Sequence, residues 1–161
     1  MLGTLRKIVQ EVNAAKDLKS ALTIIVQRVK DSMGSQVCSV YLLDPESNRF
    51  VLMATEGLNK RSIGKVSMAP NEGLVGLVGT REEPLNLENA ADHPRYRYFA
   101  ETGEERYASF LGAPIIHHRR VMGVLVIQQK ERRQFDEGEE AFLVTMSAQL
   151  AGVIAHAEAT G

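Results

Sequence analysis

The sequence has a single cysteine, no tryptophan and only five prolines among its 161 residues. One cysteine excludes an internal disulfide and suits a reducing cytosol. Basic and acidic residues nearly balance, at 19 and 20, so no overall field attracts nucleic acid or anionic lipid. The apolar runs fall short of the roughly 20 residues that cross a bilayer, and the start lacks the apolar segment of a secretory signal. We therefore expect one soluble cytoplasmic domain that binds neither nucleic acid nor membrane.

Both ends of the chain carry helical patterns. The first is a seam of apolar residues at spacings of three and four: Leu5, Ile8, Val12 and Ala15. Asp17 is placed to cap a second helix, which Gly34 would end. Near the other end, Asp136 followed three residues later by Glu139 forms a capping-box pattern. It precedes an apolar stripe that predicts one long helix: Phe142, Met146, Leu150, Val153 and Ala157.

The middle of the chain has the pattern of strands joined by turns. Residues 36–43 alternate between two faces, residues 44–48 have turn chemistry, and residues 49–55 return as a hairpin partner. A second hairpin is predicted at residues 109–116 and 121–128, with the four residues between them, His-His-Arg-Arg, as the turn. Its second strand is apolar on both faces, so each face of the sheet must be covered. Short strands are expected at residues 65–68 and 85–87.

Two further segments lie between the hairpins. Residues 71–79 predict a short helix with Asn71 as its cap, and its glycines permit close backbone approach. Residues 89–108 form a long polar and aromatic insertion, and loops of this length usually carry function or are disordered. The terminal helices would cover one face of the sheet, while the insertion and the short helix would cover the other.

The sequence thus predicts a single α+β domain over residues 1–161, with one antiparallel sheet of five or six strands. The N-terminal helices would occupy residues 1–34. The sheet and its insertion would occupy residues 36–128, and the C-terminal helix residues 135–158.

Four sequence blocks on this framework resemble the GAF domain, a small sensory module of signalling proteins. They are residues 38–44 (CSVYLLD), 72–76 (EGLVG), 109–115 (SFLGAPI) and 121–125 (VMGVL). Two further stretches, residues 2–12 and 135–143, are similar to the N-terminal GAF domain of nitrogen-type phosphoenolpyruvate-protein phosphotransferases. The resemblance implies a six-stranded antiparallel sheet with the terminal helices on one face. It also implies a ligand pocket under loops and short helices on the other face.

The resemblance further implies a regulatory role without catalysis in this chain. The domain would bind a small polar metabolite of the glutamine or 2-oxoglutarate class and form a homodimer through its terminal helices. Its other partners would be the C-terminal phosphotransferase domains of a longer parent enzyme. That parent would use magnesium, whereas no cofactor is expected in this domain.

Candidate ligand-binding residues come from three places. A helix N-terminus offers unpaired amides to a carboxylate, which selects Gly73, Leu74 and Val75. Strand positions predicted to face away from the terminal helices are Ser39, Tyr41, Met53, Thr55 and Ser109. The insertion and the strand before it add Asn86, Tyr96 and Arg106, because arginine can hold a carboxylate with two bonds and tyrosine supplies a wall with a polar tip. Hydrogen bonding within the sheet is an equally weighted alternative for the strand hydroxyls.

Other functions remain open at this point. A structural dimerisation domain with a collapsed pocket fits the same pattern. A GAF-fold methionine sulfoxide reductase would need reactive thiols, but Cys38 is alone and is predicted to face the helices. The cyclic-nucleotide signature is only approximated, and Lys130 could simply form an ion pair with Glu139 or Glu140. The adjacent histidines His117 and His118 are expected to point apart in their turn, and no metal site is predicted.

Overall fold

A six-stranded antiparallel sheet forms the centre of the molecule in the computed structural model, which describes residues 2–103 and 107–160. Across the sheet the strand order is β3-β2-β1-β6-β5-β4, and all five neighbouring pairs are antiparallel. The strands are β1 Val37–Asp44, β2 Arg49–Glu56, β3 Ser67–Met68, β4 Leu85–Leu87, β5 Ser109–His117 and β6 Arg120–Gln129. The predicted α+β class and six-stranded antiparallel sheet are confirmed.

Three helices cover one face of this sheet: α1 Leu2–Asn13, α2 Leu18–Met33 and α4 Glu137–Thr160. Their apolar stripes share one buried cluster with sheet residues such as Cys38, Val40 and Ile127. By length and composition alone α4 could also cross a membrane. Its buried side chains, which include Leu143 and Leu150, pack into that cluster as those of a core helix do.

The helix ends follow the signals in the sequence. The Asp17 carboxylate accepts a hydrogen bond from the Ser20 amide at 2.8 Å, and Gly34 ends α2 in the left-handed conformation at φ +62°. At the start of α4, the Glu139 amide donates to the Asp136 carboxylate at 2.8 Å. The Asp136 amide donates in return to the Glu139 carboxylate at 2.9 Å. This reciprocal capping box confirms the predicted start.

The other face carries a second buried cluster, which includes Tyr41, Phe50 and Val126. It lies under α3 (Gly73–Arg81) and under residues 93–99, which we call the cover. Gly79 lets α3 approach closely, because a Cβ atom there would collide with the ring of Phe50. Alternation along β1 sends Cys38 and Val40 to the helices and Tyr41 to this second cluster, as predicted.

Three local predictions are wrong. Asn71 does not cap α3: it has φ +67°, and Glu72 is the residue that flanks the helix. The second hairpin turns at two residues rather than four, because His118 and Arg119 both adopt positive φ, at +49° and +66°. This tight turn brings the rings of His117 and His118 into contact, with centroids 4.1 Å apart, instead of sending them apart.

Candidate functional site

A small cavity lies where the second cluster meets the start of α3 and the cover. Its volume is about 20 Å³, and its walls include Met68, Leu74, Tyr96, Phe110 and Gln128. Roughly 10–15 Å³ is enough for one water molecule, so an amino acid does not fit in this conformation. The space expected beneath the insertion is therefore almost filled by the protein's own side chains.

The start of α3, where Leu74 and Val75 line the cavity, has unpaired backbone donors. The Glu72 carbonyl accepts a hydrogen bond from the Gly76 amide at 3.1 Å, and this is the first backbone hydrogen bond of the helix. The amides of Gly73, Leu74 and Val75 have no hydrogen-bond acceptor among the described residues, and the Glu72 side chain does not cap them. A helix start with free amides carries partial positive charge and can hold a carboxylate.

Gln128 is the polar side chain of β6 that lines the same cavity. It is only 5% exposed, and no described residue forms a hydrogen bond with its side-chain amide. Among the described residues, every side-chain polar atom that is fully enclosed has a partner. The unpaired amide of Gln128 is therefore open to the cavity rather than sealed into packed protein.

Charged side chains tie the cover to the start of α3. The Glu72 carboxylate accepts hydrogen bonds from the Ala69 amide at 2.8 Å, from Arg49 Nη2 at 3.4 Å and from Arg97 Nη1. Arg95 Nη1 donates to the Asn71 carbonyl at 2.8 Å. We call the bonds that Arg95 and Arg97 make to Asn71 and Glu72 the clasp. It holds the cover down over the cavity.

Several predicted site residues lie in or beside this region. Leu74, Val75 and Tyr96 line the cavity. Gly73 lies against Met68, because a Cβ atom there would stand 2.7 Å from its sulfur. Tyr41 is 2% exposed and belongs to the same cluster.

The strand hydroxyls are bound within the sheet instead of facing an open space. Ser39 and Thr55 share a hydrogen bond of 2.9 Å across β1 and β2. The Ser109 hydroxyl donates to the Gln129 carbonyl at 3.3 Å. For these three residues the structure favours the alternative of hydrogen bonding between strands.

Two of the predicted residues do not join the cavity. Met53 lies where the pairing of β1 and β2 shifts register, and it is 41% exposed. The side chain of Asn86 is bound to the segment before α4. Its Nδ2 atom donates a hydrogen bond to the Phe135 carbonyl at 2.8 Å, and its Oδ1 atom accepts one from the Phe135 backbone amide at 3.2 Å. It thus pins the segment before α4 to β4. Arg106 lies outside the described residues.

The remaining polar candidates have structural partners. Arg133, and not Lys130, pairs with Glu139, through two bonds of 3.0 and 2.6 Å. Burial strongly raises the pKa of the Cys38 thiol, and the nearby Glu56 adds to this effect, so the thiolate is disfavoured. Within residues 2–103 and 107–160, no group of three or more His, Cys, Asp or Glu side chains is placed to hold a metal ion.

A larger groove, of about 420 Å³, lies on the helical side of the molecule. It runs between the α1–α2 connection and the second half of α4, with walls that include Val12, Leu18, Gly152 and His156. A Cβ atom at Gly152 would meet nothing within 4 Å. This groove lies among the terminal helices, on the opposite side of the sheet from Gln128.

Gln128 and Glu72 are not among the binding residues predicted from the sequence. A signal existed for Gln128, since it continues a strand directly after residues 121–127, which are apolar on both faces. Glu72 stands beside a glycine-rich helix start, but its bonds to Arg49 and Arg97 join residues 23 and 25 positions apart. No local pattern encodes such pairs.

Comparisons with known proteins agree over almost the whole chain. A family model described as the GAF domain matches residues 17–154. A Salmonella typhimurium protein described as "Phosphoenolpyruvate-dependent phosphotransferase system" is 47% identical over 160 residues, which cover 99% of this chain and 21% of that protein. The chain therefore spans about a fifth of the length of this curated relative.

Two solved structures are similar to this chain over nearly their whole length. The GAF domain of a phosphoenolpyruvate-protein phosphotransferase from Acinetobacter is 53% identical, with a TM-score of 0.90 and coverage of 99% of this chain and 96% of that one. The corresponding domain from Coxiella burnetii is 49% identical, with a TM-score of 0.95 and coverage of 99% and 95%.

Proposed function

Since the chain belongs to the GAF domain family, we propose that it is the regulatory sensory domain of a phosphoenolpyruvate-dependent phosphotransferase and binds glutamine or 2-oxoglutarate. The family match also confirms the resemblance found in the sequence blocks. The setting would be the cytoplasm, and the partners would be the phosphotransferase domains of the parent enzyme. Those domains, rather than this chain, would hold the magnesium.

One observation carries the ligand proposal. Gln128, whose side-chain amide is unpaired, lines the same cavity as Leu74 and Val75, whose backbone amides are free. Buried polar groups are normally paired, and leaving one unpaired costs free energy. A ligand with a carboxylate at one end and a polar group at the other would satisfy both sets.

The ligand can enter only if the cover moves, because the closed cavity holds about one water. The ion pair that ties the cover to α3 is partly exposed: the side chains of Arg97 and Glu72 are 51% and 30% exposed. An ion pair this exposed contributes at most about 1 kcal/mol, and often less. Opening therefore has a modest cost compared with disturbing the sheet.

Strand β6 offers a route from the cavity to the terminal helices. Val126 belongs to the cluster on the cavity side, and its neighbour Ile127 to the cluster on the helix side. A ligand shifts the packing of the helices only by its difference in affinity for two arrangements. The proposed signal is a change in how α1 and α4 pack when the cavity fills.

Isothermal titration calorimetry of the chain with L-glutamine and with 2-oxoglutarate, each to millimolar concentration, tests the ligand proposal. Saturable heat for at least one of them is expected. D-glutamine is the matched control, because a site built from fixed backbone amides distinguishes the two configurations. The absence of heat from both metabolites, or equal binding of D- and L-glutamine, contradicts the proposal.

A second candidate function is a structural dimerisation domain without a ligand. The small cavity favours it, as does the middle of α4, where residues 141–155 carry no charged side chain and Val144 is 41% exposed. Light scattering coupled to gel filtration tests this candidate with Val144→Glu. Met53→Glu is the control, because Met53 is equally exposed but lies on β2. Loss of the dimer in the first variant alone, together with no metabolite binding by the wild type, would support it.

A further inference from the structure

We propose that Gln128 determines the specificity of the cavity and selects a ligand whose buried end is a primary carboxamide rather than a carboxylate. This inference rests on the proposed function and goes one step further, to the chemistry of the buried end. Its starting point is the position of Gln128, which is 5% exposed and lines the cavity, and whose side-chain amide has no hydrogen-bond partner among the described residues.

The chemistry of the two amides is complementary. A glutamine side chain presents two N–H donors and one carbonyl acceptor. A primary carboxamide on the ligand presents the same set, so the two can form a pair of antiparallel N–H···O bonds. A carboxylate offers acceptors only, and it would leave the Gln128 carbonyl unpaired.

Among the described residues that line the cavity, no unpaired cation is present to hold a second carboxylate. Arg97 is the cation among the described lining residues, and its guanidinium is bound by Glu72. Most of the other described lining side chains, such as Met68, Leu74 and Phe110, are apolar. A buried carboxylate without a cation of its own is strongly disfavoured, whereas a neutral carboxamide needs only hydrogen bonds.

The two ends of the ligand would then have separate partners. The free amides of Gly73, Leu74 and Val75 suit a single carboxylate at the start of α3. Gln128, across the cavity on β6, takes the neutral end. An amino acid with a side-chain carboxamide satisfies both, and a dicarboxylate of similar length satisfies only the first.

The test compares Gln128→Leu with Gln149→Leu, which removes an exposed glutamine from the far side of the sheet. Calorimetry should show that Gln128→Leu weakens L-glutamine binding roughly tenfold or more, while 2-oxoglutarate binding changes much less. Gln149→Leu should bind both metabolites like the wild type. The Tm of the ligand-free Gln128→Leu protein should be equal or higher, because leucine replaces an amide that has no partner. A purely structural role for Gln128 would instead lower that Tm.

Each outcome is decisive for one of the two proposals or for both. Wild-type binding of L-glutamine that Gln128→Leu leaves unchanged would overturn this inference and leave the proposed function standing. A clear preference of the wild type for 2-oxoglutarate would do the same. No binding of either metabolite by the wild type would overturn both. If Gln128→Leu does not fold, Gln128→Met, which is unbranched and close in length, provides the same comparison. Failure of both variants to fold would show a structural role and overturn the inference.

Discussion

The carboxylate of Glu72 accepts a hydrogen bond from the guanidinium of Arg97 and so joins the start of α3 to the cover 25 positions later in the chain. The same carboxylate also accepts a hydrogen bond from Arg49 Nη2, on β2, at 3.4 Å. One acidic side chain therefore fixes three separate parts of the chain around the cavity. Access to the cavity should therefore depend on the negative charge of the Glu72 side chain.

Glu72→Gln should loosen the cover. The substitution keeps the size of the side chain and its ability to accept the Ala69 amide, but it removes the charge that binds Arg97. Hydrogen exchange in residues 93–99 should become faster. The affinity for L-glutamine should rise by up to about fivefold, because a half-exposed ion pair contributes about 0.2–1 kcal/mol.

Glu83→Gln is the control for this experiment, since Glu83 is an exposed acid just beyond α3. It should leave exchange in the cover unchanged. Identical exchange in the Glu72 variant and in the wild type would show that the clasp does not hold the cover.

Glu139→Gln should make the protein less stable near neutral pH but not in acid. The Arg133 guanidinium, hydrogen-bonded to Glu139, holds the pKa of this carboxyl below its usual value, and the Asp136 amide contributes as well. A folded pKa below the unfolded one gives stability that is complete above the unfolded value, about 4.3. This stability is lost as the pH falls through the lower, folded value.

The expected loss of unfolding free energy is about 1 kcal/mol at pH 7, because the pair is mostly shielded from water. Glutamine still supports the capping box, so the change reports the charge. Urea unfolding from pH 7 down to pH 3 should show the two proteins converging below about pH 4. Glu137→Gln, an exposed change in the same helical turn, is the control. A difference that persists undiminished at pH 3 would contradict the assignment.

Asn86→Ala should reduce stability without weakening metabolite binding. The side chain of Asn86 pairs with both the amide and the carbonyl of Phe135, and its removal leaves two backbone groups without partners. The expected loss is about 1–3 kcal/mol in chemical denaturation. Asn89→Ala is the comparison, since the Asn89 side chain forms no capping bond. If the variant instead bound L-glutamine more weakly and had unchanged stability, Asn86 would be a ligand-binding residue, as the sequence predicted.

Cys38 should be unreactive toward thiol reagents in the folded protein. The side chain is fully buried between β1 and the helices, and burial raises the pKa of its thiol far above the usual value. Ellman's reagent at pH 8 should therefore react only as fast as the protein unfolds. A Ser47→Cys variant, with a new thiol in the exposed turn after β1, should react at once. Rapid reaction of Cys38 itself would reopen the methionine sulfoxide reductase hypothesis, which requires an accessible thiolate.

The sequence predicted those parts of the fold that depend on near neighbours. Asp17 and Gly34 bound α2 as expected, and Asp136 with Glu139 begins α4, because each of these signals acts within a few residues. Alternation along β1 correctly separated Cys38 from Tyr41, since side chains in a strand alternate between faces.

The errors arise where the outcome depends on contacts between distant residues. A register shift in β2 leaves Met53 exposed, and hydrophobic pattern alone does not locate such a shift. Asn71 does not occupy the capping position, because the residue directly before α3 is Glu72, whose side chain binds Arg49 and Arg97. The extent to which the cavity is filled depends on how the cover packs, which is a property of the whole fold.

Consecutive residues of β6 belong to different buried clusters, so the positions of this strand can be sorted into two groups for protein engineering. Val124, Val126 and Gln128 face the cavity side, while Leu125 and Ile127 face the helices. A mutant library intended to retune what the domain recognises can therefore randomise the three even-numbered positions. The two odd-numbered positions should be kept as they are, because they support the scaffold on which any new recognition would depend.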